Sequence, residues 1–205
     1  DDGAGEIVER GRARLYRVFN NGSWTAGGRF YGGWWMTMPS AERARLTIDG
    51  EPVVELDFKG LHPRLAYHLV GQPLPPDDDP YDLGERFAAV DRGVLKVAFN
   101  QLLAGGPGGG VQKPPHVRLP RGMAYRDVLA ALEEKHRPIR SWLRSARALE
   151  LQHIDSQIAA GVLGYFTASL GRPVLPVHDS FIVAARDEYK LGETMFLAYR
   201  AVTAG

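Results

Sequence analysis

Two apolar runs rich in β-branched residues, VVELDF at 53–58 and VLPVHDSFIV at 174–183, each carry an aspartate at a polar boundary. Short runs of this kind read as buried strands. The chain must therefore build a core around segments that bear carboxylates, Asp57 and Asp179. A carboxylate at the edge of a core is costly unless it is paired or holds a metal. Two of them point to a divalent-cation site.

The remaining pattern sorts into helices and turns. Ile7, Val8, Leu15, Val18 and Phe19 fit a short amphipathic helix over Glu6 to Phe19, behind a DDGAG start read as disordered or trimmed. GRFYGGWWMTMP at 28–39 reads as a turn-laden extended stretch, with Trp34 and Trp35 facing opposite ways, one buried and one accessible. Strands are expected over Ala44 to Ile48 and Pro52 to Asp57, joined by a turn, and a helix over Leu61 to Val70. PLPPDDDP at 73–80 reads as a rigid acidic loop, its aspartates solvated or capping a helix. Helices follow over Asp82 to Ala89 and Arg92 to Leu103, and then a long helical region over Tyr125 to Leu170, interrupted near Pro138. VLPV and SFIVAA flank His178-Asp179 as a hairpin, and Glu188 to Val202 forms a closing helix. No regular βαβ alternation occurs, so the class is α+β with a small, mostly antiparallel sheet.

Composition narrows the function classes. No stretch reaches the roughly 18 apolar residues of a membrane helix, and the N-terminus lacks a signal-peptide pattern, so the expectation is a cytoplasmic protein with no membrane partner. The absence of cysteine excludes disulfides, thiolate nucleophiles and cysteine-ligated zinc. A net charge of +1 requires that any nucleic-acid affinity come from local arginines. Clusters occur at Arg12, Arg14 and Arg17, at Arg118, Arg121 and Arg126, and at Arg137, Arg140, Arg144 and Arg147. GGPGGG at 105–110 lacks the Lys-Ser/Thr ending of a phosphate-binding loop and reads as a connector. His62, His68 and His153 read as packing or capping residues rather than metal ligands. A serine-hydrolase reading of His178-Asp179 fails for want of a nucleophile elbow.

Between the two aspartate segments, Arg92 and Lys96 stand one turn apart on a helix, where two cations share a face. Such a pair could grip a triphosphate while carboxylates hold Mg²⁺. In two-metal phosphoryl chemistry the ions lie roughly 3.5–4 Å apart.

In this order the segments resemble the palm and fingers of family A DNA polymerases and the related single-subunit phage-type RNA polymerases. DFKGLHPRLAYHL at 57–69 is similar to that family's first catalytic motif, with Asp57 as metal ligand and Arg64 and His68 at matching positions. RGVLKVAFNQLLAG at 92–105 resembles the fingers helix, with Arg92 and Lys96 at triphosphate-binding positions. VHDS at 177–180 resembles the third motif, with His178 near the primer end and Asp179 as second metal ligand. Arg29 and Gln152 match positions that contact primer–template, and Arg64 is grouped with them.

The resemblance implies a palm-like sheet over 28–205 with short fingers inserted at about 82–122, after a helical lead over 1–27. It implies a template-directed nucleotidyltransferase with two Mg²⁺ ions (or Mn²⁺), nucleoside triphosphates and primer–template nucleic acid. No thumb or exonuclease segment is evident in the sequence, so a fragment, a thumbless enzyme or a partner supplying the thumb is expected. Departures fall at His62, Asn100 and Ala104 around the sugar and base, and at Ser180 after the second aspartate, where many DNA polymerases have Glu. Sugar choice stays open, and an RNA polymerase or primase, a catalytically degenerate binding module and a metal-dependent nuclease are the alternatives.

Overall fold

A computed structural model of the chain describes residues 14–203. It is an α+β structure in which every strand pairing is antiparallel. The described residues form two compact units, one from the segments up to 59 and from 153 onward, the other Gly60–Gln152. No helix among the described residues is long and apolar enough to cross a membrane.

The first unit opens with a hairpin of β1 (Tyr16–Asn20) and β2 (Ser23–Tyr31). Its two-residue loop, Asn21-Gly22, has both residues left-handed (φ 54° and 63°), the geometry that matches strand twist and selects Asn-Gly. This corrects the helix expected over Glu6–Phe19. Val18 and Phe19 lie in a strand, because Asn-Gly acts as a hairpin turn rather than a helix stop. Residues 6–13 of that expectation lie outside the described residues. Trp34 and Trp35 belong to a 3₁₀ turn (Trp34–Thr37), not an extended strand. Trp35 is buried and donates from Nε1 to the Pro176 carbonyl at 2.9 Å, while Trp34 is half-buried.

After the short helix α1 (Ser40–Arg43) comes a four-stranded sheet in the order β3-β4-β6-β5. Its strands are β3 (Thr47–Ile48), β4 (Glu51–Asp57), β5 (Leu175–Val177) and β6 (Ser180–Ala184). β3 is shorter than expected, because Ala44 ends α1 instead of starting a strand. Leu56 pairs with Phe181 and Val54 with Val183. Those four face a core with Ala159, Val162 and Phe166 and with Leu191 and Met195. The latter residues come from the end of α5 (Ala148–Gly164), the π-turn after it, and α6 (Glu188–Thr203). Strand alternation then turns Glu55, Asp57 and Ser180 to the opposite face of the sheet.

The second unit is helical, with α2 (Leu61–Leu69), α3 (Arg92–Ala104), α4 (Tyr125–Lys135) and a 3₁₀ segment, Arg137–Trp142. Only a 3₁₀ turn, Glu85–Phe87, forms within the helix expected over Asp82 to Ala89. Asp82 accepts instead from Gly84 N at 2.8 Å, closing a local turn. The helical region after Tyr125 breaks again at 143–147, where Arg144 and Ala146 are left-handed. Their N–H groups go to the carbonyls of Leu102 and Gly105 at 2.6 and 2.9 Å, satisfying the C-terminal end of α3. Buried His136 packs on Phe99 at 4.8 Å between ring centres. Its ring nitrogens reach Tyr67 Oη at 3.2 Å and the Pro80 carbonyl at 2.9 Å.

Candidate active site

β4 and β6 run antiparallel, so the C-terminal end of one lies beside the N-terminal end of the other. Asp57 closes β4 opposite Ser180, the first residue of β6. Asp179 immediately precedes Ser180 in the two-residue turn between β5 and β6, and its carbonyl accepts from Phe58 N at 3.3 Å. The two carboxylates come from distant parts of the chain and line one open cleft of about 460 Å³ with Arg43, Glu55, His178 and Ser180. His178 holds a left-handed backbone (φ 57°), which costs a non-glycine residue roughly 1–2 kcal/mol. Such strain tends to concentrate at functional sites.

Glu55 has no place among the residues expected from sequence, yet it organises the cleft wall. Arg43 grips it with a fork, Nε to Oε2 at 2.9 Å and Nη2 to Oε1 at 2.8 Å. Ser180 Oγ donates to Oε1 at 2.6 Å, and the remaining Arg43 nitrogen donates to the Met38 carbonyl at 2.7 Å. Desolvation raises the Glu55 pKa, but the hydrogen bonds from Arg43 and Ser180 outweigh it and hold the carboxyl below its ordinary range. The signal available in the sequence is period two: Glu55 and Asp57 share a strand face.

Arg29, expected at the primer–template, is engaged by Asp155 of α5. Nε reaches both carboxylate oxygens at 3.3 and 3.0 Å, and Nη2 reaches Oδ2 at 2.5 Å. Asp155 is 4% exposed, and removing Arg29 would leave it a buried group without this partner. Burial lowers the Arg29 pKa, but the Asp155 bonds and charge, aided by Asp179 and Tyr31, raise it overall. Tyr31 lies edge-on to His178, with ring centres 5.9 Å apart. Desolvation, and then the Arg29 cation, hold His178 below the usual imidazole range against the pull of Asp179 and Asp155. The ring is accordingly neutral near pH 7.

The other expected residues belong to the second unit. Arg92, Lys96 and Asn100 are all exposed and recur at four-residue spacing on α3. Arg92 pairs with Asp79 at 2.9 Å and covers the Tyr81 ring at 4.9 Å. Asp79, one of the acidic-loop aspartates, is thus an ion-pair partner, and the Arg92 bond holds its carboxyl below the ordinary range. Arg64 clamps the same loop, donating to the carbonyls of Pro75, Pro76 and Asp78 at 3.0, 2.9 and 2.7 Å. His62 is half-buried on α2, and Gln152 is half-buried on α5. Asp57, His178 and Asp179 are therefore brought together in one cleft, and Arg92, Lys96 and Asn100 on one helix face.

Among the described residues, no group of three or more His, Asp or Glu side chains is gathered as a closed metal cage. Mg²⁺ seldom needs one, since it is commonly held by one or two carboxylates together with water and substrate phosphates. An all-oxygen pair, Asp57 and Asp179, at an open cleft fits that mode of binding. Compared with protein-family models, curated proteins and solved structures, the chain gives no match.

Proposed function

We propose that the protein is a template-directed nucleotidyltransferase that joins nucleotides to a primer 3′-hydroxyl. The observation that carries this reading is the meeting of Asp57 and Asp179 at adjoining strand ends in one open cleft. In this reading Asp57 and Asp179 would hold Mg²⁺, which would supply acidification of the attacking hydroxyl and stabilisation of charge on the phosphates.

Each protein group then has a separate task. Asp57 and Asp179 supply hard oxygen ligands. Glu55, already bound by Arg43 and Ser180, ties the strand ends to α1 and forms the wall of the cleft. Neutral His178 serves as a hydrogen-bonding and packing group at the primer end rather than as a fixed cation. Arg29, oriented by Asp155, lends positive charge beside Asp179. Arg92 and Lys96 are assigned to the triphosphate, where fixed cations offset charge on departing pyrophosphate. His62 and Asn100 are assigned to the sugar and base pocket, and Arg64 and Gln152 to the primer–template.

A second reading, a nucleic-acid-binding module without turnover, draws on the Arg92–Asp79 ion pair, which occupies a cation that the first reading assigns to substrate. Incubation with labelled primer–template, Mg²⁺ and either dNTPs or NTPs separates the two. Extension with dNTPs defines a DNA polymerase, and extension with NTPs an RNA polymerase or primase. Nucleic-acid binding with no product from either would replace the enzyme reading with the binding module.

A further inference from the structure

The chain carries a net charge of +1, but that charge is unevenly spread. From Gly105 through Arg126 there is no aspartate or glutamate, while Lys113, Arg118, Arg121 and Arg126 contribute four positive charges. The rest of the chain is therefore net negative. Elsewhere arginines are commonly neutralised, as Arg43 is by Glu55, Arg92 by Asp79 and Arg144 by Glu133. Lys113, Arg118 and Arg121 meet no carboxylate among the described residues, and Arg126 has only the distant Asp127 at 4.0 Å.

All four side chains are exposed, and the segment up to Ala124 is irregular but anchored. Val117 is 2% exposed, and Tyr125 is buried with its hydroxyl on Gln101 at 2.6 Å. Lys113 Nζ donates to the Val117 carbonyl at 2.9 Å, and Arg118 to that of Pro115 at 2.5 Å. Carbonyl bonds fix the direction of these side chains without cancelling their charge. A cluster of uncompensated cations on one acid-free segment, two of them held by backbone carbonyls, is the electrostatic footprint of a polyanion-binding surface.

We propose that residues 105–126 form a basic strap that binds the phosphate backbone of nucleic acid. The strap presents no large exposed apolar side chain, which a membrane-inserting surface requires. Its four exposed cations instead suit a ligand that carries many phosphates. The strap extends the enzymatic reading by naming where part of its nucleic-acid grip resides.

The test is binding of a fluorescein-labelled duplex DNA with a single-stranded overhang, measured by anisotropy across a salt series. A triple variant, Lys113→Gln with Arg118→Gln and Arg121→Gln, is compared with the wild type and with Arg118→Lys plus Arg121→Lys. The slope of log affinity against log salt should fall in magnitude by about 2–3 in the triple variant, roughly 0.7–0.9 for each phosphate no longer neutralised. The lysine variant should keep the wild-type slope, showing that charge rather than the arginine hydrogen bond is responsible. Equal slopes in the triple variant and the wild type would overturn the strap, as would wild-type protein that binds phosphatidylserine vesicles but not DNA. Primer extension is followed in parallel. Extension with unchanged slopes removes the strap and leaves the enzyme. A reduced slope without any extension by wild type keeps the strap and removes the polymerase reading.

Discussion

Glu55 is held by a guanidinium fork and a serine hydroxyl at once, so its removal affects more than one partner. Glu55→Gln should lower stability by about 1–3 kcal/mol, since half-buried Arg43 loses its counter-charge. Ser180→Ala removes the hydroxyl that reaches Glu55 and the Val177 carbonyl and should cost about 1 kcal/mol. Urea titrations of both variants check the order, and equal losses would show that the fork contributes nothing.

His136 gives a second prediction at this scale. Desolvation pushes its pKa down to about 4 from an ordinary 6.5. Between those values the unfolded chain binds the extra proton, so stability rises with pH across that window and is complete above it. About 3 kcal/mol should be lost on acidification from pH 7 to pH 4. Glu55 and Asp79, whose pKa values are lowered, add their own loss at the acid end. Unfolding curves of wild type and His136→Gln across pH 4–7 isolate the histidine, and parallel pH profiles would refute its role. The sequence made Asp57, His178 and Asp179 visible through their apolar surroundings. Period two offered Glu55 as a neighbour of Asp57 on one strand face, but its partner Arg43, and Asp155, stayed concealed, because ion pairing across a fold leaves no local pattern.

At the level of elements, α3 is capped by Asp91, the residue before it, whose side chain accepts from Gly93 N at 2.8 Å. Asp91→Ala should cost about 1 kcal/mol and Asp91→Ser much less, because serine also caps. Thermal melts should place the alanine variant about 2–4 °C below wild type, and a midpoint equal to wild type would show the cap to be idle. Long periodic segments such as α2, α3 and α6, and the hairpin of β5 and β6, could be read from sequence because their apolar spacing and bounding turns agree. The first hairpin could not. Val18 and Phe19 fit a helical stripe as well as a strand, and only pairing with β2 decides between them. The break at 143–147 was equally hidden, since its cause is the carbonyl end of α3, remote in sequence.

For the whole molecule, the class was legible because strands and helices follow one another without βαβ regularity, and the structure has small antiparallel sheets with helices. Near-neutral net charge sets a further expectation. On the proposed function, nucleic-acid affinity would rest on local cations and should fall by orders of magnitude between about 50 and 200 mM salt. On the proposed function, Asp57 and Asp179 together form the site of nucleotide transfer. Nucleotide incorporation on a primer–template with Mg²⁺, compared among wild type, Asp57→Asn and Asp179→Asn, tests it most directly. Each substitution should abolish extension while leaving nucleic-acid binding within about threefold of wild type, because the binding cations are untouched. Extension at wild-type rates by either variant would contradict the assignment.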